Sequence, residues 1–75
     1  AMYDAILEAL RRGEAGHALT DAQVLAQQQP DDPRAHQLVA AALRASGDEA
    51  GALAAIDRAL ELAPDDADLH LIRAG

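Results

Sequence analysis

The sequence predicts an all-α fold in which helical hairpins stack side by side as a short solenoid. Three observations carry that reading. Markers recur at a fixed shift of thirty-four residues, beginning with Pro30-Asp31-Asp32 and Pro64-Asp65-Asp66. Between the markers, apolar residues fall at three- and four-residue spacings, and no strand-like alternation competes with them. Glycine and proline then stand where helices have to stop.

The same shift links further positions: Gly13 with Gly47, Ala18-Leu19 with Ala52-Leu53, His36 with His70, and Ala40 with Ala74. A period of this length is the mark of a stacked repeat, in which each unit buries its apolar face only against its neighbours.

The elements follow in chain order. Ile6, Leu7 and Leu10 give a first helix over about 2–12. Ala15, Ala18, Leu19, Ala22, Leu25 and Ala26 give a second over about 15–29, entered through Gly13, a glycine free to take the left-handed conformation that ends a helix. Asp32 before Pro33 reads as an N-cap with proline in the first helical position, where its missing N–H costs nothing. It opens a third helix over about 33–46 with Leu38, Val39, Ala42, Leu43 and Ala45 on its apolar side. Gly47 ends that helix, and Asp48 caps a fourth over about 49–63, carrying Ala52, Leu53, Ile56, Ala59, Leu60 and Ala63. Pro30 and Pro64 close the second and fourth helices, and a fifth runs over about 67–74.

Composition narrows the possible roles. At 75 residues the chain is one domain, near the size at which a single core becomes marginal. Its apolar set is mostly alanine with some leucine, so each side chain removes little area from water, at about 25 cal/mol per Å², and stacking against neighbours matters to stability. There is no cysteine, hence no thiol chemistry and no sign of an oxidising compartment, which leans the expected setting toward the cytoplasm. The formal net charge is −7, and the six cations, all arginine, form no basic stripe. Nucleic-acid binding is not expected, because phosphate backbones require clustered cations. No apolar run approaches the roughly 20 residues of a membrane span, and no signal segment opens the chain. Ala1-Met2 fits either an added residue before a native start or an excised internal segment.

Chemistry-bearing side chains have simpler explanations than catalysis. Ser46 and Thr20 are the only serine and threonine, no histidine has a recognisable nucleophile beside it, and no glycine-rich phosphate loop occurs. His36 and His70 lie one repeat apart, on helices too far separated to share a metal ion, and read as repeat-packing or groove-edge residues; His17 reads as exposed. Asp31-Asp32 and Asp65-Asp66-Asp68 lack the glycine and terminal glutamate of a calcium loop and read as helix-start acids facing the positive end of the dipole. Asp57 and Glu61, with Arg58 beside them, read as solvated charges. No cofactor, no metal and no enzymatic activity are expected.

A thirty-four-residue helical hairpin with a glycine turn inside and a proline before the next pair resembles the tetratricopeptide repeat. Against the family pattern of Trp, Leu-Gly, Tyr, then Ala, Phe and Pro, this chain places His36, Val39-Ala40, Leu43, Ala52, Ile56 and Pro64. The aromatic positions hold smaller or polar residues, while Ala40, Ala52 and Ala59 keep the small side chains that let helices approach. In the first repeat an ungapped shift puts Ala5, Ala9 and Ala22 where the family prefers large residues. A turn one residue shorter would bring Ile6 and Leu10 into register, and that alternative is favoured.

The resemblance implies an α-α superhelix of two hairpins plus a fifth helix: one domain over 1–75, with repeats at about 1–32 and 33–66 and a partial third at 67–75. It implies a non-catalytic module binding a protein or peptide partner along the first helices of the hairpins. Arg34, Gln37, Leu38 and Ala41 would face that groove from the second repeat, Leu71 and Ile72 from the third, and Tyr3 and Leu7 from the first. Arg34 and Gln37 would make the polar contacts. Members that grip acidic C-terminal tails use lysines and asparagines, and this chain has neither. One side of Leu69 and Ile72 is expected to lack cover, which leaves two alternatives open: a fragment of a longer array, or a homodimer through the open C-terminal helix. Self-assembly without a foreign ligand and a regulatory segment of a larger enzyme are the competing roles.

Overall fold

Three helix starts in this chain coincide with side chains that hold free backbone N–H groups, whereas Glu14, before the second helix, makes no side-chain cap. Asp32 accepts from the Arg34 N–H at 2.9 Å, Asp48 from the Gly51 N–H at 2.8 Å, and Asp66 from the N–H groups of Asp68 and Leu69 at 3.0 and 3.2 Å. The computed structural model describes residues 2–74. Five helices fill them: α1 (Met2–Arg11), α2 (Ala15–Gln28), α3 (Pro33–Ala45), α4 (Glu49–Leu62) and α5 (Ala67–Ala74). No strand occurs among the described residues. Asp31 and Asp65, by contrast, make no cap, so each acidic pair supplies one capping residue.

Consecutive helices pack on one another, α1 with α2, α2 with α3, α3 with α4 and α4 with α5, and α1 also touches α3. The result is two hairpins, α1–α2 and α3–α4, and a fifth helix docked on the second. Gly13 at φ +77° and Gly47 at φ +91° supply the left-handed residue in each hairpin turn.

The two turns correspond bond for bond. Gly13 N–H donates to Leu10 O at 3.1 Å and Glu14 N–H to Ala9 O at 2.9 Å; thirty-four residues on, Gly47 N–H donates to Arg44 O at 3.0 Å and Asp48 N–H to Leu43 O at 2.9 Å. This corrects the shorter first turn favoured above. The hairpins are in ungapped register, so Ala5, Ala9 and Ala22 do stand opposite Val39, Leu43 and Ile56.

Packing explains why that register is tolerated. Ile6, Ala9, Ala22 and Leu25 of the first hairpin are the counterparts of Ala40, Leu43, Ile56 and Ala59 of the second. Both sets contain one isoleucine, one leucine and two alanines, in different places. Ile6, Ala9, Ala22 and Leu25 lie in one buried cluster with Ala18, Ala35, Leu38 and Ala42. Ala40, Ala52 and Ile56 form the second, with Leu43, Ala55, Leu60 and Ile72 against it. Side-chain volume is conserved while its distribution is permuted, which a core at native packing density accepts more readily than a change in total volume.

Leu69 departs from its expected lack of cover, being 1% exposed. Its counterpart is Ala35, fully buried in the cluster shared with the preceding hairpin, so this position faces backward along the stack. Ile72 is half-buried against the second cluster. The uncovered apolar side chain of α5 is Leu71, at 70% exposure.

The paired histidines join the hairpins. His36 Nε2 lies 2.8 Å from the carbonyl oxygen of Pro30, and His70 Nε2 lies 2.7 Å from that of Pro64. A carbonyl only accepts, so Nε2 carries the proton in both. Each ring thereby ties the first helical turns of one unit to the proline closing the unit before it. Arg73 Nε, 2.5 Å from Asp57 Oδ1, adds a link from α5 to α4.

Candidate functional site

Stacking puts the first helices of the hairpins side by side, so the side chains on their shared face form a furrow running from α1 across α3 to α5. Three depressions lie along it. Asp4, Leu7, Glu8, Leu10 and Arg11 line the first, of about 590 Å³. Tyr3, Leu7, Arg34, Gln37 and Leu38 line the second, of about 200 Å³. Gln37, Ala40, Ala41, Arg44, Ala45, Ile56 and Ile72 line the third, of about 400 Å³. Leu7 is shared by the first two and Gln37 by the last two, which makes the furrow continuous.

The middle depression is organised around Tyr3, the only aromatic residue in the chain. Its hydroxyl donates to the carboxylate of Asp32, the cap of α3, and lies 3.5 Å from Gln29 Oε1. The Arg34 guanidinium carbon sits 4.4 Å from the ring centroid, a cation–π arrangement. The hydrogen bond to Asp32 raises the Tyr3 pKa above its ordinary value; partial burial and the Asp32 charge add to the rise, and Arg34 opposes it. One side chain thus joins α1 to the start of α3.

The structure brings Tyr3, Leu7, Arg34, Gln37 and Leu38 together in the middle depression and places Ala41 and Ile72 with Gln37 in the third. Leu38 is 8% exposed and belongs to the first buried cluster, so it is the floor of the furrow more than a contact surface. Leu71 is the repeat counterpart of Gln37 but lines none of the three depressions. Reading the sequence alone missed Asp4, Glu8, Leu10, Arg11, Ala40, Arg44, Ala45 and Ile56 as lining residues. The thirty-four-residue register would have supplied Asp4, the counterpart of the candidate Leu38.

Other chemistry-bearing groups are engaged locally. The hydroxyls of Thr20 and Ser46 donate to the carbonyls one turn back, Gly16 O at 3.1 Å and Ala42 O at 2.9 Å. His17 Nε2 stands 3.4 Å from Asp21 Oδ2 on an exposed helix face. Asp57 and Glu61, the paired carboxylates of α4, are taken by Arg73 and Arg58. Among the described residues no cluster of three or more His, Cys, Asp or Glu could hold a metal ion, and no helix is long and apolar enough to cross a membrane.

A search of curated proteins finds no match to the chain. The family model described as Tetratricopeptide repeat matches residues 33–75, which takes in α3, α4 and α5 and more than half of the sequence. That match, the five helices and the two glycine turns with equivalent hydrogen bonds show that the chain belongs to the tetratricopeptide repeat family.

Proposed function

We propose that the chain is a non-catalytic binding module whose furrow holds a peptide segment of a partner protein. Tetratricopeptide repeats in general mediate protein–protein interaction and are typically scaffolds without catalysis of their own. The observation that carries the proposal is the continuity of the furrow: three depressions in series joined through Leu7 and Gln37. Residues 1–75 act as one unit here, with hairpins over about 1–32 and 33–66 and a partial third repeat over 67–75. Extended or helical segments gain affinity in such grooves from a few anchoring side chains in a row of pockets.

The test is a displayed peptide library selected against the folded chain, followed by Leu7→Ser and Gln37→Ala. Leu7 is 46% exposed, so its replacement alters the furrow without opening the core. Selected peptides should lose affinity in both variants; undiminished binding in both rejects the furrow. A second reading, pairing of two copies through α5, draws support from the exposure of Leu71. Sedimentation over a concentration series tests it, and a monomer at every concentration excludes it.

A further inference from the structure

We propose that the middle depression is a seat for a side-chain carboxylate, so that the segment bound in the furrow carries an acidic residue between two bulky aliphatic ones. This rests on the furrow being the binding surface and names the chemistry of its occupant.

The distribution of ion pairs carries the argument. Arg11 and Arg12 pair with Glu8, Arg44 with Glu49 at 2.8 Å, Arg58 with Glu61 at 3.8 Å and Arg73 with Asp57 at 2.5 Å. Arg34, the sixth of six, has no ion pair among the described residues, although thirteen acids surround these cations in a chain of net charge −7. The acid nearest in sequence, Asp32, directs Oδ2 to the Tyr3 hydroxyl and Oδ1 to the Arg34 backbone N–H. The guanidinium is held instead by the Tyr3 ring, 4.4 Å below its central carbon. Stacking fixes the plane of the group and leaves its N–H donors available. A guanidinium ordered in advance loses little freedom when it takes up a carboxylate, whose two oxygens match its fork.

The surroundings set the size and position of the acid. The middle depression is the smallest of the three, with Gln37 and Arg34 beside Tyr3, Leu7 and Leu38 in its lining, which suits a single polar side chain. On one side Leu7 and Leu10 supply the apolar lining of the larger first depression, beside Asp4, Glu8 and Arg11; on the other, Ala40, Ala41, Ala45, Ile56 and Ile72 supply that of the third, beside Gln37 and Arg44. Small alanines leave room there for a bulky aliphatic group. Because the furrow continues both ways from Arg34, the carboxylate belongs to a side chain and not to a chain terminus. The overall negative charge repels a segment carrying several acids, so a single acid with aliphatic neighbours fits best.

The test uses synthetic peptides, acetylated and amidated, with one glutamate between two leucines at graded separations. A matched panel carries glutamine at the central place, and a third panel ends after the first leucine in a free carboxylate. Titration calorimetry gives affinities, and Tyr3 fluorescence reports occupancy of the middle depression, since no other aromatic residue contributes. At the best separation glutamate should bind about tenfold tighter than glutamine, and Arg34→Gln should abolish that preference while circular dichroism shows the helices intact. Equal binding of the two panels, or a preference that survives Arg34→Gln, overturns the carboxylate seat and leaves the furrow standing if Leu7→Ser weakens both. Tighter binding of the free-terminus panel overturns the assignment to a side chain. No binding by any panel overturns the seat, and a peptide library that also yields no binder removes the furrow with it.

Discussion

Tyr3 touches both hairpins at once: its ring carries Arg34, and its hydroxyl holds the residue that caps α3. The raised pKa has a definite consequence for stability. A group whose folded pKa lies above its unfolded value contributes stability that is fully present below the unfolded value, near 10, and is lost as pH rises through the folded one. Unfolding monitored by circular dichroism should therefore show no Tyr3 contribution to pH dependence through neutrality and a decline above about pH 10. Asp32→Asn should move the tyrosinate transition back toward the ordinary value in an ultraviolet absorbance titration; a transition unchanged by that substitution contradicts the hydrogen bond as its main cause. Glycines offer a second contrast at this scale. Gly47, at φ +91°, should lose about 1 kcal/mol on replacement by alanine. Gly16, within α2 and with no atom near an added Cβ, should gain about 0.4–1 kcal/mol from the same change. Chemical denaturation of the two variants checks the opposite signs.

At the scale of elements, the permuted quartet is the informative feature. Leu25→Ala alone should cost about 2–5 kcal/mol through a cavity, and Ala22→Ile alone about 1–3 kcal/mol through overpacking. All four changes together, Ile6→Ala, Ala9→Leu, Ala22→Ile and Leu25→Ala, should cost much less than the sum of the single effects, because they install the arrangement of the second hairpin. Denaturant midpoints of the singles and the quadruple variant measure that coupling, and strict additivity would count against it. The helices themselves were legible in the sequence because Gly13, Gly47, Asp32, Asp48 and the prolines mark their ends, and the structure departs from those bounds by at most one residue at each end. The register of the first hairpin was not legible from the family pattern, since Ala9 and Ala22 break it singly and obey it only when counted together with Ile6 and Leu25. Likewise the five first-hairpin and second-hairpin candidates of the middle depression could be placed by periodicity, whereas the partners of Tyr3 lie 26 and 29 residues away and nothing local announces them. Leu69 was misjudged because periodicity says that a residue is apolar, not toward which neighbour it turns.

For the molecule as a whole, stability should grade along the stack. A repeat array holds each unit by its neighbours, so inner helices exchange backbone protons last and terminal ones first. α2, α3 and α4, each packed between two neighbouring helices, should be more protected in native-state hydrogen exchange than α1 and α5. α5, with 8 residues, is too short to persist by itself and depends on Leu69, Ile72, His70 and Arg73 for its place. His70→Ala should raise exchange in α5 well before it affects α2, and uniform acceleration across all helices would reject that gradient.

The permutation of side chains between the hairpins also bears on how the chain avoids mistakes. Stacked repeats are prone to pairing with the wrong neighbour, since successive units offer nearly the same surface. If α1 took up α4 in place of α2, Ile6 would meet the surroundings of Ile56 and two large side chains would compete for one site. If α3 took α2 into the place of its hairpin partner α4, Ala40 would meet Ala22 and leave a void. The distribution of one isoleucine, one leucine and two alanines thus works as an address, by which each helix distinguishes its own partner from the near copy thirty-four residues away.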